Sequence, residues 1–291
     1  MKEPNNKLGF ILMSLTSLLF ALQDGVSRYL ADEYNVVLTV MIRFWFFAGF
    51  AIFLAHRNGG IRHAMRSHYP KMQIARSVIV ALEICVTVAA FTILGLTETH
   101  AIFVCYPLII VALSGPMLGE KIGWLRWSAV LIGFLGVLVI IRPGSGVFSP
   151  WALVPILGAT MFALYGVMTR YVADKDDATT SFFYTGCIGA VIMSVIGMFF
   201  LEPIANKDLG WLLLLCLMGI LGHWLLIKTY DVAEASAVQP FAYLQMPFAA
   251  IVGMFAFSET LRTNVAIGAA IIIGAGIFVL WRERNLNETR D

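Results

Sequence analysis

The chain has 291 residues, of which 59% are hydrophobic and 13% charged, with a formal net charge of +2 and a mean hydropathy of +0.83. Soluble domains carry about 25% charged residues, so this composition excludes a water-solvated globule and points to lipid as the solvent. The small net charge, with no Lys/Arg-rich tract interleaved with aromatics, excludes nucleic acid as a partner.

In chain order, Lys2 and Lys7 precede an apolar run that continues to Leu22 without a small-residue cleavage site, so it reads as an uncleaved first span. Ten apolar segments follow from the charge and Gly/Pro punctuation: 8–30, 36–55, 73–95, 98–118, 124–141, 151–172, 180–200, 210–229, 235–257 and 263–281. Runs near 20 residues without strict alternation are helices and not barrel strands, because a helix satisfies its own backbone in lipid. With the N-terminus in the cytoplasm, the inside segments hold fifteen of the twenty Lys and Arg residues and the outside segments four. Arg43 is left within a span, and the inside excess predicts that both termini are cytoplasmic.

Phe20-Ala-Leu-Gln-Asp-Gly-Val-Ser-Arg-Tyr-Leu-Ala-Asp32 returns as Phe162-Ala-Leu-Tyr-Gly-Val-Met-Thr-Arg-Tyr-Val-Ala-Asp174, with seven of thirteen positions identical. That is the mark of an internal duplication, residues 1–144 and 145–291. Five spans per half is an odd number, so the second half crosses the membrane in the opposite sense. A weaker echo comes later in each half. Glu98, Ala101, Pro107 and Gly119-Glu120 are answered by Glu234, Ala237, Pro247 and Ser258-Glu259. Gly-bearing spans follow, Gly133-Phe-Leu-Gly136 and Gly274-Ala-Gly276, where missing side chains let helices approach closely.

Charges inside the membrane cost at least about 2.5–3.5 kcal/mol at a helix centre, so each is a functional candidate. Glu83 sits mid-span three. It reads as a cavity residue that meets a cationic or hydrogen-bonding group, as a proton carrier, or as a structural carboxyl paired to a neighbouring helix. Asp24 and Arg43 each lie about 10 Å inside the outer surface at ~1.5 Å per residue. They read as a salt bridge that fixes the first hairpin, or as a pair that opens to meet a substrate carboxylate or gates the outer side. In the second half, His223 and Trp224 lie mid-span eight, and Gln239 and Tyr243 share a face of span nine while Gln245 points elsewhere. Gln23 and Tyr165 occupy equivalent places in the two repeats, and Tyr106-Pro107 lies within span four, where proline frees a carbonyl. The set Gln23, Glu83, Tyr106, Tyr165, His223, Trp224, Gln239 and Tyr243 outlines a cavity for a planar or zwitterionic solute, although each aromatic taken singly also reads as packing. Glu120 and Glu259 read as helix-end stabilisers, and Lys228 as a snorkelling side chain.

The four cysteines lie inside apolar runs without CxxC spacing, so they predict neither disulfides nor a metal site. No Walker loop, HExxH or GxSxG is present, and no enzyme chemistry and no cofactor are expected.

The mid-span proline, Leu118-Gly119-Glu120, the Gly-rich helix, Arg142-Pro143-Gly144, and in the second half Ala237-Val-Gln-Pro-Phe-Ala-Tyr243 with Glu259 resemble the drug/metabolite transporter superfamily, specifically its EamA-type ten-span members. Gly222-His223 and Pro240-Phe241-Ala242-Tyr243 look like the subgroup with uptake carriers for S-adenosylmethionine and riboflavin. Ser258 departs from the pattern where the first half has Gly119. The resemblance implies an all-α membrane protein of ten transmembrane helices, arranged as two inverted five-helix repeats around a central cavity in the bacterial cytoplasmic (inner) membrane. It implies no ATP site and transport by alternating access.

The expected activity is secondary transport of a small organic solute, with Asp24, Arg43 and Glu83 as gating or coupling residues and protons as a candidate coupling ion. Export of amino acids or lipophilic drugs, and a non-transporting structural or partner-binding subunit, are the rival readings. Monomer and homodimer both stay open.

Overall fold

The computed structural model describes residues 4–31, 33–94, 99, 102–141, 150–257 and 263–288. Asp32, Glu98, Ala101, the Arg142-Pro143-Gly144 linker and Ser258-Glu259 lie outside the described residues. All regular structure among the described residues is helical. The first half contains α1 (Asn6–Ala31), α2 (Val36–Arg57), the one-turn α3 (Ile61–Ala64), α4 (Pro70–Leu94), α5 (Tyr106–Leu118) and α6 (Trp124–Ile141). The second contains α7 (Leu153–Val172), α8 (Ala178–Gly197), α9 (Leu209–Val232), α10 (Ala235–Ala242), α11 (Gln245–Phe257) and α12 (Thr263–Glu288).

Local chemistry explains the boundaries. Asn35 Oδ1 accepts the Val37 N–H at 2.9 Å and opens α2. Asp177 Oδ1 accepts the Thr180 N–H at 2.6 Å and opens α8. Gly119 closes α5 at φ 69°, a left-handed residue whose N–H returns to Gly115 O at 2.9 Å while the Glu120 N–H reaches Ser114 O at 3.3 Å.

Five helical stretches among the described residues are long and apolar enough to cross a membrane: Asn6–Ser27, Val36–Arg57, Pro150–Val172, Ala178–Phe200 and Asn206–Val232. α4 is 25 residues long but carries Lys71, Arg76 and Glu83. α5 and α11 have 13 residues each, about 20 Å of helix against a hydrocarbon layer of about 30 Å. The sequence predicts one continuous span over 235–257, and the structure breaks it: α10 ends at Ala242 and α11 begins at Gln245, with Pro247 unable to donate to the turn before it. A matching interruption at Val104–Cys105 precedes α5 and Pro107. Ser17 of α1 donates to Phe241 O at 3.1 Å and Ala242 O at 3.4 Å, so part of the carbonyl surface opened by the break is satisfied from the other half.

The main packing pairs cross between halves: α1 on α9, α2 on α8, α4 on α7 and α6 on α12, with α1 also on α10 and α11, and α5 on α7. Close approach of α6 to α12 rests on Gly136, where a Cβ would sit 3.0 Å from Gly268 O. Gly274 faces open space and Gly276 makes only ordinary contact with Phe241 at 3.5 Å. The tight crossing expected at that second glycine pair therefore lies one to two turns earlier on α12.

Candidate functional site

Between the halves is a cavity of about 220 Å³, lined by side chains of α1, α2, α4, α7, α9 and α11, by Tyr106 at the start of α5 and by Phe103 in the segment before it. Three of its groups are charged residues from the first half: Asp24, Arg43 and Glu83. Gln23, Ser27, Thr87, Tyr106, His223 and Gln245 add hydrogen-bonding groups. Phe103, Tyr106 and Phe162 form an aromatic wall, Tyr106 meeting Phe162 edge-on at 4.8 Å between centroids. His223 is held between Phe20 and Phe47, at 5.8 and 5.4 Å.

Each charge has an identifiable support. Glu83 is 5% exposed and accepts from the Thr87 hydroxyl one turn later at 2.7 Å. Arg43 is buried, and its stem passes α9 at Gly219, where a Cβ would sit 2.8 Å from Arg43 Cδ. Its guanidinium feels both Asp24 and Glu83 electrostatically. Asp24 Oδ2 accepts from Gln245 Nε2 at 2.8 Å. Among the described residues no ion pair closes between Asp24 and Arg43. The side chain slotted past Gly219 lines the same cavity as both carboxylates. Two buried acceptors that line the cavity, Gln23 Oε1 and His223 Nδ1, have no hydrogen-bond partner among the described residues. A buried polar atom without a partner costs about 1–3 kcal/mol, which a bound solute recovers.

The structure brings six of the sequence candidates together here, Gln23, Asp24, Arg43, Glu83, Tyr106 and His223, and places four elsewhere. Trp224, one residue on from His223, turns into the core between α2 and α8, meeting Phe182 edge-on at 5.2 Å and Lys228 Nζ at 5.3 Å. Tyr165 is fully buried with the Arg76 guanidinium 5.5 Å from its ring centroid. Gln239 turns back to donate to Ala235 O at 2.6 Å. Tyr243 packs on Gly133 and lines a separate, smaller pocket. Gln245, set apart from the Gln239 and Tyr243 face in the sequence, is the residue of this stretch that reaches the main cavity, because the break at Tyr243–Leu244 resets the helical phase. Thr87 and Phe103 are cavity residues that carry no charge and no motif, while Phe20, Ser27 and Phe162 lie in the repeated segment and carry no charge.

Below the cavity lies a layer of packed residues, among them Phe10, Ile110, Tyr165, Tyr230 and Phe241, with Phe10 stacked on Phe241 at 4.6 Å. Two polar clusters lie at that end of the molecule. In one, Asp176 accepts from the Ser67 hydroxyl, from the His68 N–H at 2.7 Å and from Gln73 Nε2 at 2.9 Å. Burial alone pushes the Asp176 carboxyl up, but the hydrogen bonds from Ser67, Gln73 and His68 outweigh it and hold the carboxyl below its usual value. Arg76 continues this cluster to Gln73 Oε1 at 2.6 Å and Thr169 Oγ1 at 3.1 Å, and also to the Ser181 carbonyl. In the other, Glu120 accepts the Ala235 and Ser236 N–H groups at 2.7 and 3.0 Å, and Arg126 pairs with Glu234.

A lipid-solvated helical chain that encloses charged groups and unsatisfied acceptors between its halves has the build of a small-solute carrier. The chain belongs to the EamA-like transporter family, which it matches twice, over residues 7–142 and 149–281. It is 27% identical to an S-adenosylmethionine uptake transporter of Rickettsia felis, over 95% of this chain and 93% of that one. It is 26% identical to a riboflavin transporter of Vibrio cholerae, over 96% and 97%. A pseudopaline exporter of Pseudomonas aeruginosa is 23% identical over 93% and 95%. A crystal structure of a protein 17% identical superposes with a TM-score of 0.79 over 97% of this chain and 98% of that one, which shows a common fold. The chain is a transporter of a small metabolite.

Proposed function

We propose that the protein is a secondary carrier that takes up a cation-bearing organic metabolite by alternating access. It does so with ten spans in two inverted repeats, 1–144 and 145–291, and with both termini in the cytoplasm. The packing supports the repeat: exchanging the first five apolar segments for the last five turns the α1–α9 pair into the α7–α4 pair and leaves α2–α8 and α6–α12 unchanged. The paired breaks before α5 and before α11 obey the same exchange. In this orientation the cavity extends outward to Ser27 and Val36, and the aromatic layer and both polar clusters lie on the cytoplasmic side. The arrangement is the outward-facing one.

The observation that carries the substrate reading is the charge set of one cavity: two carboxylates, Asp24 and Glu83, and one guanidinium, Arg43. Its complement is a solute with two cationic centres and one carboxylate, beside an aromatic wall that accepts a flat ring or a cation over a π face. S-adenosylmethionine, the solute named for the Rickettsia relative, carries a sulfonium, an ammonium, a carboxylate and a nucleoside. Riboflavin, named for the Vibrio relative, carries the ring without the charges. A solute of net charge +1 gains about 2.3 kcal/mol per 100 mV on entering a negative interior, so the membrane potential alone favours uptake. A proton carried by Glu83 or Asp24 adds to that drive.

The test is thermal stabilisation of the purified protein, which a ligand of the folded state raises by about 2.7 kcal/mol at one hundred times its Kd. S-adenosylmethionine is expected to stabilise the wild type, and Asp24→Asn and Glu83→Gln to lose that effect. Stabilisation by riboflavin alone sinks the charge reading. Uptake into proteoliposomes that ignores both an imposed pH gradient and Glu83→Gln removes the proton from the cycle.

A further inference from the structure

The main cavity, at about 220 Å³, is smaller than the roughly 300–1,000 Å³ typical of pockets for drug-sized ligands. It is short of room for a charged chain and a ring together. Beside it is a second pocket of about 40 Å³, set between the two helix breaks. Phe103, Tyr106 and Gln245 line both spaces, so these three side chains form the wall between them. Gln245 is held in that wall by its bond to Asp24. Val104, Ala242, Tyr243 and Met246 complete the small pocket. They are apolar except for the Tyr243 hydroxyl, which belongs to a residue 1% exposed and has no hydrogen-bond partner among the described residues. At about 40 Å³ the slot alone takes only the edge of a flat heteroaromatic ring, whose nitrogens meet that hydroxyl, and the rest of the ring needs the space that Gln245 leaves.

Resting on the charge reading above, we propose that this pocket is the subsite for the ring of the transported solute, and that it joins the main cavity when the solute's cationic group takes Asp24 and releases Gln245. The ring then sits on both breaks at once. Binding is thereby tied to the two segments that break in each half.

Three probes on the full-length purified protein separate the parts: S-adenosylmethionine, S-methylmethionine, which keeps the charged chain without the nucleoside, and adenosine. Apparent affinities from ligand-dependent melting are expected to favour S-adenosylmethionine over S-methylmethionine by about 10-fold in the wild type, the usual order for one stacked base. Ala242→Leu, which fills the pocket, is expected to abolish that advantage and the weaker binding of adenosine while leaving S-methylmethionine unchanged. Tyr243→Phe keeps the packing, serves if Ala242→Leu does not fold, and is expected to cut the advantage by about 2- to 10-fold. The subsite is overturned if the wild type shows no ring advantage, if both variants keep it whole, or if they weaken both charged probes equally. If the wild type binds S-methylmethionine without a ring advantage, the subsite falls and the charge reading stands. If it binds neither charged probe, the charge reading falls and takes the subsite with it.

Discussion

Arg43, Asp24 and Glu83 reach one cavity because three different helices each carry a charge within an apolar run, and none of them can be left facing hydrocarbon. That is why these three were legible in the sequence: a charge in an apolar run announces itself. Ser27, Thr87 and Phe162 line the same cavity and were not legible as cavity residues, since a hydroxyl or a phenylalanine in a membrane span has ordinary reasons to be there. Asp176 shows the same point outside the membrane. Its carboxyl accepts from Ser67, His68 and Gln73, partners about 105 residues away that no local pattern pairs with it. Because folding holds this carboxyl below its usual value of about 3.9, its contribution to stability is present above that pH and is lost as pH falls through and below it. The melting temperature is expected to hold from pH 7 to about 5 and fall toward pH 3. Asp176→Asn is expected to cost about 1–3 kcal/mol at pH 7 and to flatten the acid fall. A variant that melts with the wild type at pH 7 and shows the same acid fall would mean that the cluster adds nothing.

At the scale of the element, α10 is instructive. It has eight residues, and its own N-cap Glu234 makes no side-chain cap bond. The cap comes from Glu120 of the first half, whose two carboxylate oxygens accept from Ala235 N, Ser236 N and, at 2.5 Å, the Ser236 hydroxyl. The sequence places Glu120 at a helix end and reads it as a stabiliser, and so it is, of a helix more than a hundred residues away. The same stretch shows where periodicity misleads. An unbroken helix over 235–257 puts Gln239 and Tyr243 on one face and sets Gln245 aside. The break at Tyr243–Leu244 turns the next residues, so Gln245 meets Asp24 while Tyr243 meets Gly133. Glu120→Ala is expected to destabilise the protein by about 1–2 kcal/mol in thermal unfolding, with Glu120→Gln keeping part of the loss away because it retains one acceptor. Equal stability of all three proteins would show that α10 does not need the cap.

For the whole molecule, the duplication visible at Phe20–Asp32 and Phe162–Asp174 holds a difference that only the structure shows. Gln23 and Ser27 of the first copy line the cavity, whereas Tyr165 and Thr169 of the second are buried beneath it, Thr169 bound to Arg76. Phe20 and Phe162, identical in the two copies, both line the cavity, so the copies part company where their residues differ, and on the alternating-access proposal the burial of these differing positions changes in the other state. In the outward-facing arrangement proposed above, the closed side depends on close backbone approach at Gly9 of α1, where a Cβ would sit 2.2 Å from Ala233 Cβ. Both atoms belong to elements without slack: Asn5 N–H is bound to Val232 O at 2.7 Å and Phe10 is stacked on Phe241. On the orientation proposed above, a leucine in place of Gly9 is expected to wedge the cytoplasmic ends apart and to leave the outer half untouched. Gly9→Leu is expected to shift the protein toward the inward-facing state. It should weaken stabilisation by S-adenosylmethionine in proportion to the outward-facing fraction lost, about 10-fold when that fraction falls to one tenth. In the same background Ala235→Cys, at a position with no exposure in the wild type, should become reactive to a membrane-impermeant maleimide in inside-out vesicles. Labelling that stays at the wild-type rate, with outside binding intact, would place the moving seal elsewhere than at the α1 contact with the start of α10.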